Sequence, residues 1–182
     1  MYHYIDILIE YINYTAPRVK WGVQEAIGNL AKKYPVEVAK AVPGLLKNTE
    51  VTDKNNTVVR WCAAYGLTEI LINNKEIPYH TELKVDALNY ALGLADVVGE
   101  LRRYVLDNIR NSKVEDIDEI LEKMDEIYSH LFSLDYPSGL TKDLRHKTDT
   151  ARNLIEKTRA DVSLSVQMNT LSSLLKNKNE EK

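Results

Sequence analysis

Three charged side chains stand at helical spacing in the middle of the chain. Asp96, Glu100 and Arg103 are four and seven residues apart, so an α-helix places them on one face. Magnesium takes carboxylate oxygens as ligands, and magnesium-dependent phosphodiester hydrolysis uses it to stabilise the attacking and leaving oxygens. The alternative is a pair of acids neutralised by Arg102 or Arg103, because two acids at this spacing repel each other unless a cation offsets them.

A run of basic residues follows near the end of the chain. Single-stranded nucleic acid requires positive charge along a groove, together with aromatic rings on which bases stack. Tyr136 is the nearby aromatic residue, and the alternative is that the basic run pairs with the acidic segment 114–126. His146 is either a phosphate contact or an ordinary surface histidine. The basic residues of the run are Lys142, Arg145, Lys147, Arg152, Lys157 and Arg159.

The remaining reactive residue types form no recognisable site. Cys62 is the single cysteine, which excludes an intrachain disulfide and a zinc site built on several cysteines. The histidines are not at metal-ligand spacing, and the sequence has no glycine-rich phosphate loop or hydrolase motif. One cysteine fits a reducing compartment, so we expect a cytoplasmic protein.

Composition favours an all-α fold. The chain has 182 residues, of which 44% are hydrophobic and 28% charged, with only seven glycines and five prolines. So few turn-forming residues argue against a β-sandwich or barrel. The net charge of −3 does not by itself demand a nucleic-acid partner. No apolar run is long enough to span a membrane, and the acidic Asp6 near the start is unlike a signal peptide.

The first part of the sequence resembles a helical repeat. A shift of about 40 residues aligns Val19-Lys20-Trp21 with Val59-Arg60-Trp61 at helical spacing, which is typical of HEAT-like helical pairs. The resemblance covers about 18–74. We predict helices at about 2–14, 18–33, 36–48 and 57–73.

The second part predicts three long amphipathic helices. Apolar residues recur at steps of three and four over 84–111, 114–131 and from about 140 through Leu175. Proline and glycine over 135–139 interrupt the pattern, and a polar, frayed tail is expected from Asn177 onward.

Three ordered motifs in this second part are similar to the translin family, and closest to the branch containing translin-associated factor X. Residues 85–103 (VDALNYALGLADVVGELRR) resemble the family's VDxxxYxLGxADxxGELxR helix. The blocks at 126–137 and 144–161 follow in the same order. Together they cover about 70–180.

The resemblance implies a bundle of long antiparallel helices that assembles into oligomers and binds single-stranded RNA or DNA. In the nuclease branch it also implies a magnesium-dependent endoribonuclease, with Asp96 as the catalytic aspartate and metal ligand. Glu100 is a further catalytic candidate, and Arg102 and Arg103 are expected to contact nucleic acid with the basic run.

The sequence departs from the family in its first part. The family's two other catalytic acids correspond to positions near Trp61 and Ala64, and neither side chain binds a metal ion. The sequence therefore predicts HEAT-like helical hairpins over 1–74, followed by a translin-like helical half over 75–182, with a junction near 66–74.

Three hypotheses follow for function. The first is binding of single-stranded RNA or DNA without catalysis and without a cofactor. The second is a HEAT-type scaffold for a protein partner, which exposed apolar side chains at Ile5, Leu8, Leu45 and Leu46 would favour. The third is a magnesium-dependent endoribonuclease centred on Asp96. A homo-oligomer is compatible with all three.

Overall fold

The chain is all-α, as predicted. The computed structural model describes residues 3–73, 80–83, 86–113, 116–134 and 142–180. Two of the helices in these ranges have four residues and the others have eight or more, and no strand occurs there. The helices are α1 (His3–Tyr11), α2 (Pro17–Ala31), α3 (Pro35–Val38), α4 (Val42–Thr49), α5 (Thr57–Asn73), α6 (His80–Leu83), α7 (Ala87–Arg110), α8 (Ile117–Ser133) and α9 (Lys142–Glu180).

Local sequence signals explain where several helices begin. Pro17 and Pro35 are the first residues of α2 and α3. Proline suits this position because an amide hydrogen there would make no hydrogen bond within the helix. Asp86 caps α7, since its carboxylate accepts hydrogen bonds from the backbone amides of Leu88 and Asn89 at 3.1 and 3.2 Å.

Two predicted boundaries are wrong. The single helix expected over 36–48 is divided into α3 and α4 by a short 3₁₀ turn at Ala39–Ala41, next to Pro43 in the first turn of α4. The tail expected to fray from Asn177 is helical through Glu180. The predicted chain break at 135–139 lies outside the described residues.

One hydrophobic core joins the predicted first and second parts. α5 packs on α2 and α4, while α7 packs on α4, α5, α8 and α9. Leu46 of α4 and Leu101 of α7 are almost completely buried in the same cluster. The helices α4 and α7 approach so closely that a Cβ at Gly93 would meet Leu46 Cδ2 at 2.5 Å. The division into 1–74 and 75–182 stays a prediction, but the two parts share their core.

The apolar side chains whose exposure would favour a scaffold are not exposed. Ile5, Leu45 and Leu46 are buried, and Leu8 packs against the core. No helix in the described ranges combines the length and apolar character needed to cross a membrane. The cytoplasmic location stays a prediction.

Lys123 connects α8 to the end of α5. The residue is 7% exposed, and its ammonium donates to the carbonyl oxygen of Leu71 at 3.0 Å and of Ile72 at 3.4 Å. The last carbonyls of a helix have no intrahelical donor and carry partial negative charge, so a buried cation stabilises them. Glu119 forms the accompanying ion pair at 3.3 Å.

We expect Lys123→Met to lower the free energy of unfolding by about 1–2 kcal/mol, because it leaves these buried carbonyls without a donor. Glu119→Gln is the matched control and should cost less than about 0.5 kcal/mol, because Glu119 is mostly exposed. Urea denaturation followed by circular dichroism measures both. Equal effects of the two substitutions would show that the carbonyl contacts do not stabilise the fold.

Candidate nucleic-acid interface

Asp96 is held by a lysine from α9. Its Oδ1 atom lies 2.6 Å from Lys147 Nζ, which also donates to the carbonyl oxygen of Leu92 at 3.3 Å. Both side chains are only partly exposed. Arg102 or Arg103 was expected to neutralise the pair of acids. Arg103 does pair with Glu100, but Asp96 takes its cation from a helix packed alongside α7. Lys147, predicted to contact nucleic acid, is engaged within the fold.

Arg103 lies between an acid and an aromatic ring. Its Nη1 is 3.4 Å from Glu100 Oε2, and its guanidinium carbon is 4.9 Å from the centre of the Trp61 ring. Trp61 in turn stacks on Tyr65, with ring centres 6.2 Å apart. Burial raises the pKa of Glu100, while Arg103 and a hydrogen bond from Trp61 act in the opposite direction. The cluster joins α5 to α7 and engages Arg103 internally.

The residues present do not fit a magnesium site. The sequence comparison with the family places its two other acids near Trp61 and Ala64, an indole and a methyl group, which are not magnesium ligands. Asp96 and Glu100 are each paired with a basic side chain. Within the described ranges, no three His, Cys, Asp or Glu side chains lie close enough to share a metal ion.

Arg102 is also engaged by α9. Its two terminal nitrogens donate to Thr158 Oγ1 at 3.0 Å and to Asp161 Oδ2 at 2.8 Å. Together with the Asp96–Lys147 pair, these bonds set the register in which α7 and α9 run side by side in the same direction. Arg102 therefore positions α9.

The exposed basic residues lie on the outer side of α9. Arg145, His146, Arg152 and Lys157 are exposed, and their side chains make no ion pair or hydrogen bond with any residue that the structure describes. Arg159 pairs with Glu156 at 2.9 Å and with Asp125 of α8. The basic run was predicted to pair with the acidic segment 114–126. Among the described residues, the Arg159–Asp125 contact is the one ion pair of this kind. The side chain of Lys142 and all of Tyr136 lie outside them.

Three arginines form one edge of α9. Arg145, Arg152 and Arg159 are seven residues apart, so they share one side of the helix at intervals of about 10.5 Å. This set is called the arginine edge below. Because Arg159 contacts Asp125, the arginine edge borders α8.

Phe132 is a residue that the sequence reasoning missed. It is the only phenylalanine, it is 73% exposed, and its ring centre is 5.9 Å from that of Tyr128. It follows Asp125 by seven residues on α8, which runs antiparallel to α9, so it lies on the side of α8 that borders Arg152. The sequence did contain a signal for its exposure, because Phe132 lies outside the apolar stripe of α8.

The Translin family model matches residues 17–162, a range that includes most of the segment predicted to be HEAT-like. The chain belongs to the Translin family. The HEAT-like assignment is not confirmed, and the family match runs across the predicted junction at 66–74.

A protein of Methanocaldococcus jannaschii, described as uncharacterized, is similar to this Translin-family chain. The two are 38% identical over 114 residues, which is 62% of the present chain and 50% of the relative. The chain thus spans about half the length of that relative. No solved structure matches the chain.

Glu69 provides a test of the electrostatics around Arg103. Burial raises the pKa of Glu69 above its ordinary value of 4.5, against the opposing effects of Arg103 and Lys32. A carboxyl with a higher pKa in the folded state binds a proton more tightly there than in the unfolded chain. The free energy of unfolding therefore decreases as the pH rises from about 4.5, the pKa in the unfolded chain, to the higher pKa of Glu69 in the folded state.

We expect Glu69→Gln, which keeps the shape of the protonated acid, to be more stable than the wild type at pH 7. The advantage should disappear as the pH falls below 4.5, where the wild-type carboxyl is protonated in both states. Urea denaturation between pH 4 and pH 8 measures the difference, with the exposed Glu122→Gln as the control. A difference that does not change with pH would contradict the burial argument.

Proposed function

We propose that this protein binds single-stranded RNA or DNA along the arginine edge of α9 and does not cleave it. Translin-family proteins are known for nucleic-acid binding. The observation that carries the proposal is the arginine edge, with Arg145 and Arg152 exposed on α9 and Phe132 exposed on the neighbouring helix α8. Charge and a stacking surface are the two requirements for binding a single strand.

The arginine edge suits an extended phosphate backbone. Arginine presents a planar set of donors that matches phosphate oxygens, and it stays charged at every physiological pH. Two consecutive arginines of the edge are about 10.5 Å apart, which is within the reach of a flexible strand whose phosphates alternate with sugars. Lys157 and His146 add donors on the adjacent side of α9.

The absence of cleavage is argued from the chemistry around Asp96. A carboxylate paired with Lys147 at 2.6 Å is already neutralised, and the two partner acids of the family are expected near Trp61 and Ala64, which cannot replace them. Hydrolysis of a phosphodiester through magnesium requires free carboxylate oxygens to hold the ion. We therefore assign Asp96 and Lys147 to the packing of α7 against α9.

The first experiment removes charge from the arginine edge. We expect Arg145→Ala/Arg152→Ala to weaken binding of a fluorescein-labelled 24-nucleotide RNA about tenfold or more in an anisotropy titration. The slope of log affinity against log salt should fall by about 1.4, the value for two lost phosphate contacts. Lys33→Ala/Lys113→Ala removes the same charge from exposed positions elsewhere and should retain most of the affinity. No salt-sensitive binding by the wild type at micromolar concentration would overturn the proposal.

The second experiment removes the aromatic ring. Phe132→Ala should reduce affinity by about fivefold or more, because a base stacked on an aromatic ring contributes about 1–3 kcal/mol. The salt slope should stay unchanged, since no phosphate contact is lost. Tyr4→Ala is a matched control, because Tyr4 is also an aromatic residue on a helix surface and is likewise 73% exposed. A change in slope without a change in affinity would argue against stacking.

The third experiment addresses cleavage. We expect labelled RNA to remain intact with magnesium and the wild type, and to show the same pattern with Asp96→Asn. Magnesium-dependent cleavage by the wild type that Asp96→Asn abolishes would establish the endoribonuclease alternative instead.

A further inference from the structure

A buried lysine joins α2 to the turn that precedes α5. Lys20 is 7% exposed, and its ammonium donates to Oδ1 of Asn55 at 3.1 Å. Asn55 is equally buried, and its amide nitrogen donates to the carbonyl oxygen of Lys47 at 3.1 Å and of Glu50 at 3.2 Å. The turn between α4 and α5 is therefore held against α2 at Lys20.

This contact leaves the charge of Lys20 without a counter-ion. The amide oxygen of Asn55 is a neutral acceptor, and it uses one of the three donors that an ammonium carries. Removing a cation from water is costly unless an opposite charge offsets the loss. None of the ion pairs among the described residues includes Lys20.

Two more lysines lie close to it. Lys47 is in the last turn of α4 and Lys54 is in the turn before α5, and both side chains are exposed. Burial lowers the pKa of Lys20, and the charges of Lys54 and Lys47 lower it further. Glu50 and Asp53 belong to the same turn, yet within the described ranges neither forms an ion pair. Lys20, Lys47 and Lys54 are called the lysine cluster below.

The start of α5 adds positive potential beside the lysine cluster. α5 begins at Thr57, three residues after Lys54, and is 17 residues long. The first amides of a helix have no acceptor within the helix and carry the positive end of its dipole. One of them, the amide of Val59, donates to Oδ1 of Asn56 at 3.0 Å. The helix dipole and the three ammonium groups thus all favour an anion here.

We propose that the lysine cluster binds a dianionic phosphate group, either free phosphate, a small phosphate ester or the terminal phosphate of a nucleic-acid strand. Lysine binds phosphate as a point charge, so no planar arrangement of donors is required. The several oxygens of the phosphate accept from Lys47 and Lys54 together. The bound dianion supplies the counter-charge that Lys20 lacks.

The lysine cluster should distinguish a phosphate monoester from the interior of a strand. A phosphate monoester carries up to two negative charges near neutral pH, about twice the charge of an internal phosphodiester. The arginine edge lies on α9, whereas the lysine cluster lies on α2, α4 and the turn before α5. The inference does not rest on the proposed function, because free phosphate tests it in the absence of nucleic acid.

The first test measures thermal unfolding of the full chain by circular dichroism with inorganic phosphate as the probe. About 20 mM phosphate at about pH 7.5 should raise the wild-type Tm by about 2 °C or more relative to sodium chloride of equal ionic strength. Lys20→Met should lose this rise, because it removes the buried charge that phosphate offsets. Lys47→Ala/Lys54→Ala should lose it as well, and these exposed positions leave the fold intact.

The matched control is Lys33→Ala/Lys113→Ala, which removes the same charge from exposed positions elsewhere and should keep the rise. Phosphate also stabilises folded proteins in general, because it is excluded from their surfaces. That effect acts on every variant alike, so the difference between the variants isolates binding at the lysine cluster.

The second test identifies the source of the phosphate. Two RNA strands of one sequence, labelled at the 3′ end, carry either a 5′-phosphate or a 5′-hydroxyl and are titrated by anisotropy. If the strand end is the ligand, the phosphorylated strand should bind about threefold or more tightly, and Lys47→Ala/Lys54→Ala should abolish the difference. Equal affinities, together with the rise in Tm, would assign the lysine cluster to free phosphate or a small ester.

Two results would overturn the proposal. One is a wild-type Tm that phosphate raises no more than sodium chloride does. The other is an equal rise in the wild type, Lys20→Met and Lys47→Ala/Lys54→Ala, because phosphate would then act without the lysine cluster. Neither result depends on whether the arginine edge binds nucleic acid.

Discussion

The structure depends on the burial of α7 between two pairs of helices. α4 and α5 cover one side of α7, and α8 and α9 cover the other. Val98, Leu101 and Val105 are completely buried as a result. Asp96, Glu100 and Arg102 lie at the edges of this buried surface and are only partly exposed, which favours a partner of opposite charge within the protein.

The pairing of charges on α7 explains why the motif residues are engaged internally. Asp96 pairs with Lys147, Arg102 with Asp161, and Arg103 with Glu100 and the ring of Trp61. These contacts attach α7 to α9 on one edge and to α5 on the other. Residues at the positions of a family motif thus serve packing in this chain, and the exposed charge is left on the outer side of α9.

α9 offers different surfaces to different partners. One face packs on α7 and α8, and the arginine edge borders α8. The exposed apolar side chains Leu164, Met168, Leu171 and Leu175 lie on the face that points away from the bundle. These surfaces are compatible because a helix of this length presents several faces at once.

The sequence by itself determined the helices and their apolar faces. A period of three to four residues, a capping Asp86 and prolines at helix starts are local signals, because helix formation depends on neighbours within one turn. The same local signals identified the basic run and the family resemblance. They failed at Ala39–Ala41 and at Asn177, where a short 3₁₀ turn and a longer helix replaced the expected boundaries.

The tertiary structure alone decided which charges are available. Lys147 and Arg145 are two residues apart in one helix, yet the first is paired with Asp96 and the second is exposed. The difference depends on the register between α7 and α9, since the paired residues Asp96 and Lys147 are 51 positions apart in the sequence. The exposure of Phe132, and of Leu164 and Leu171 on α9, likewise depends on which helices end nearby. Contacts of this kind arise from packing over long sequence distances, which a pattern of neighbouring residues does not encode.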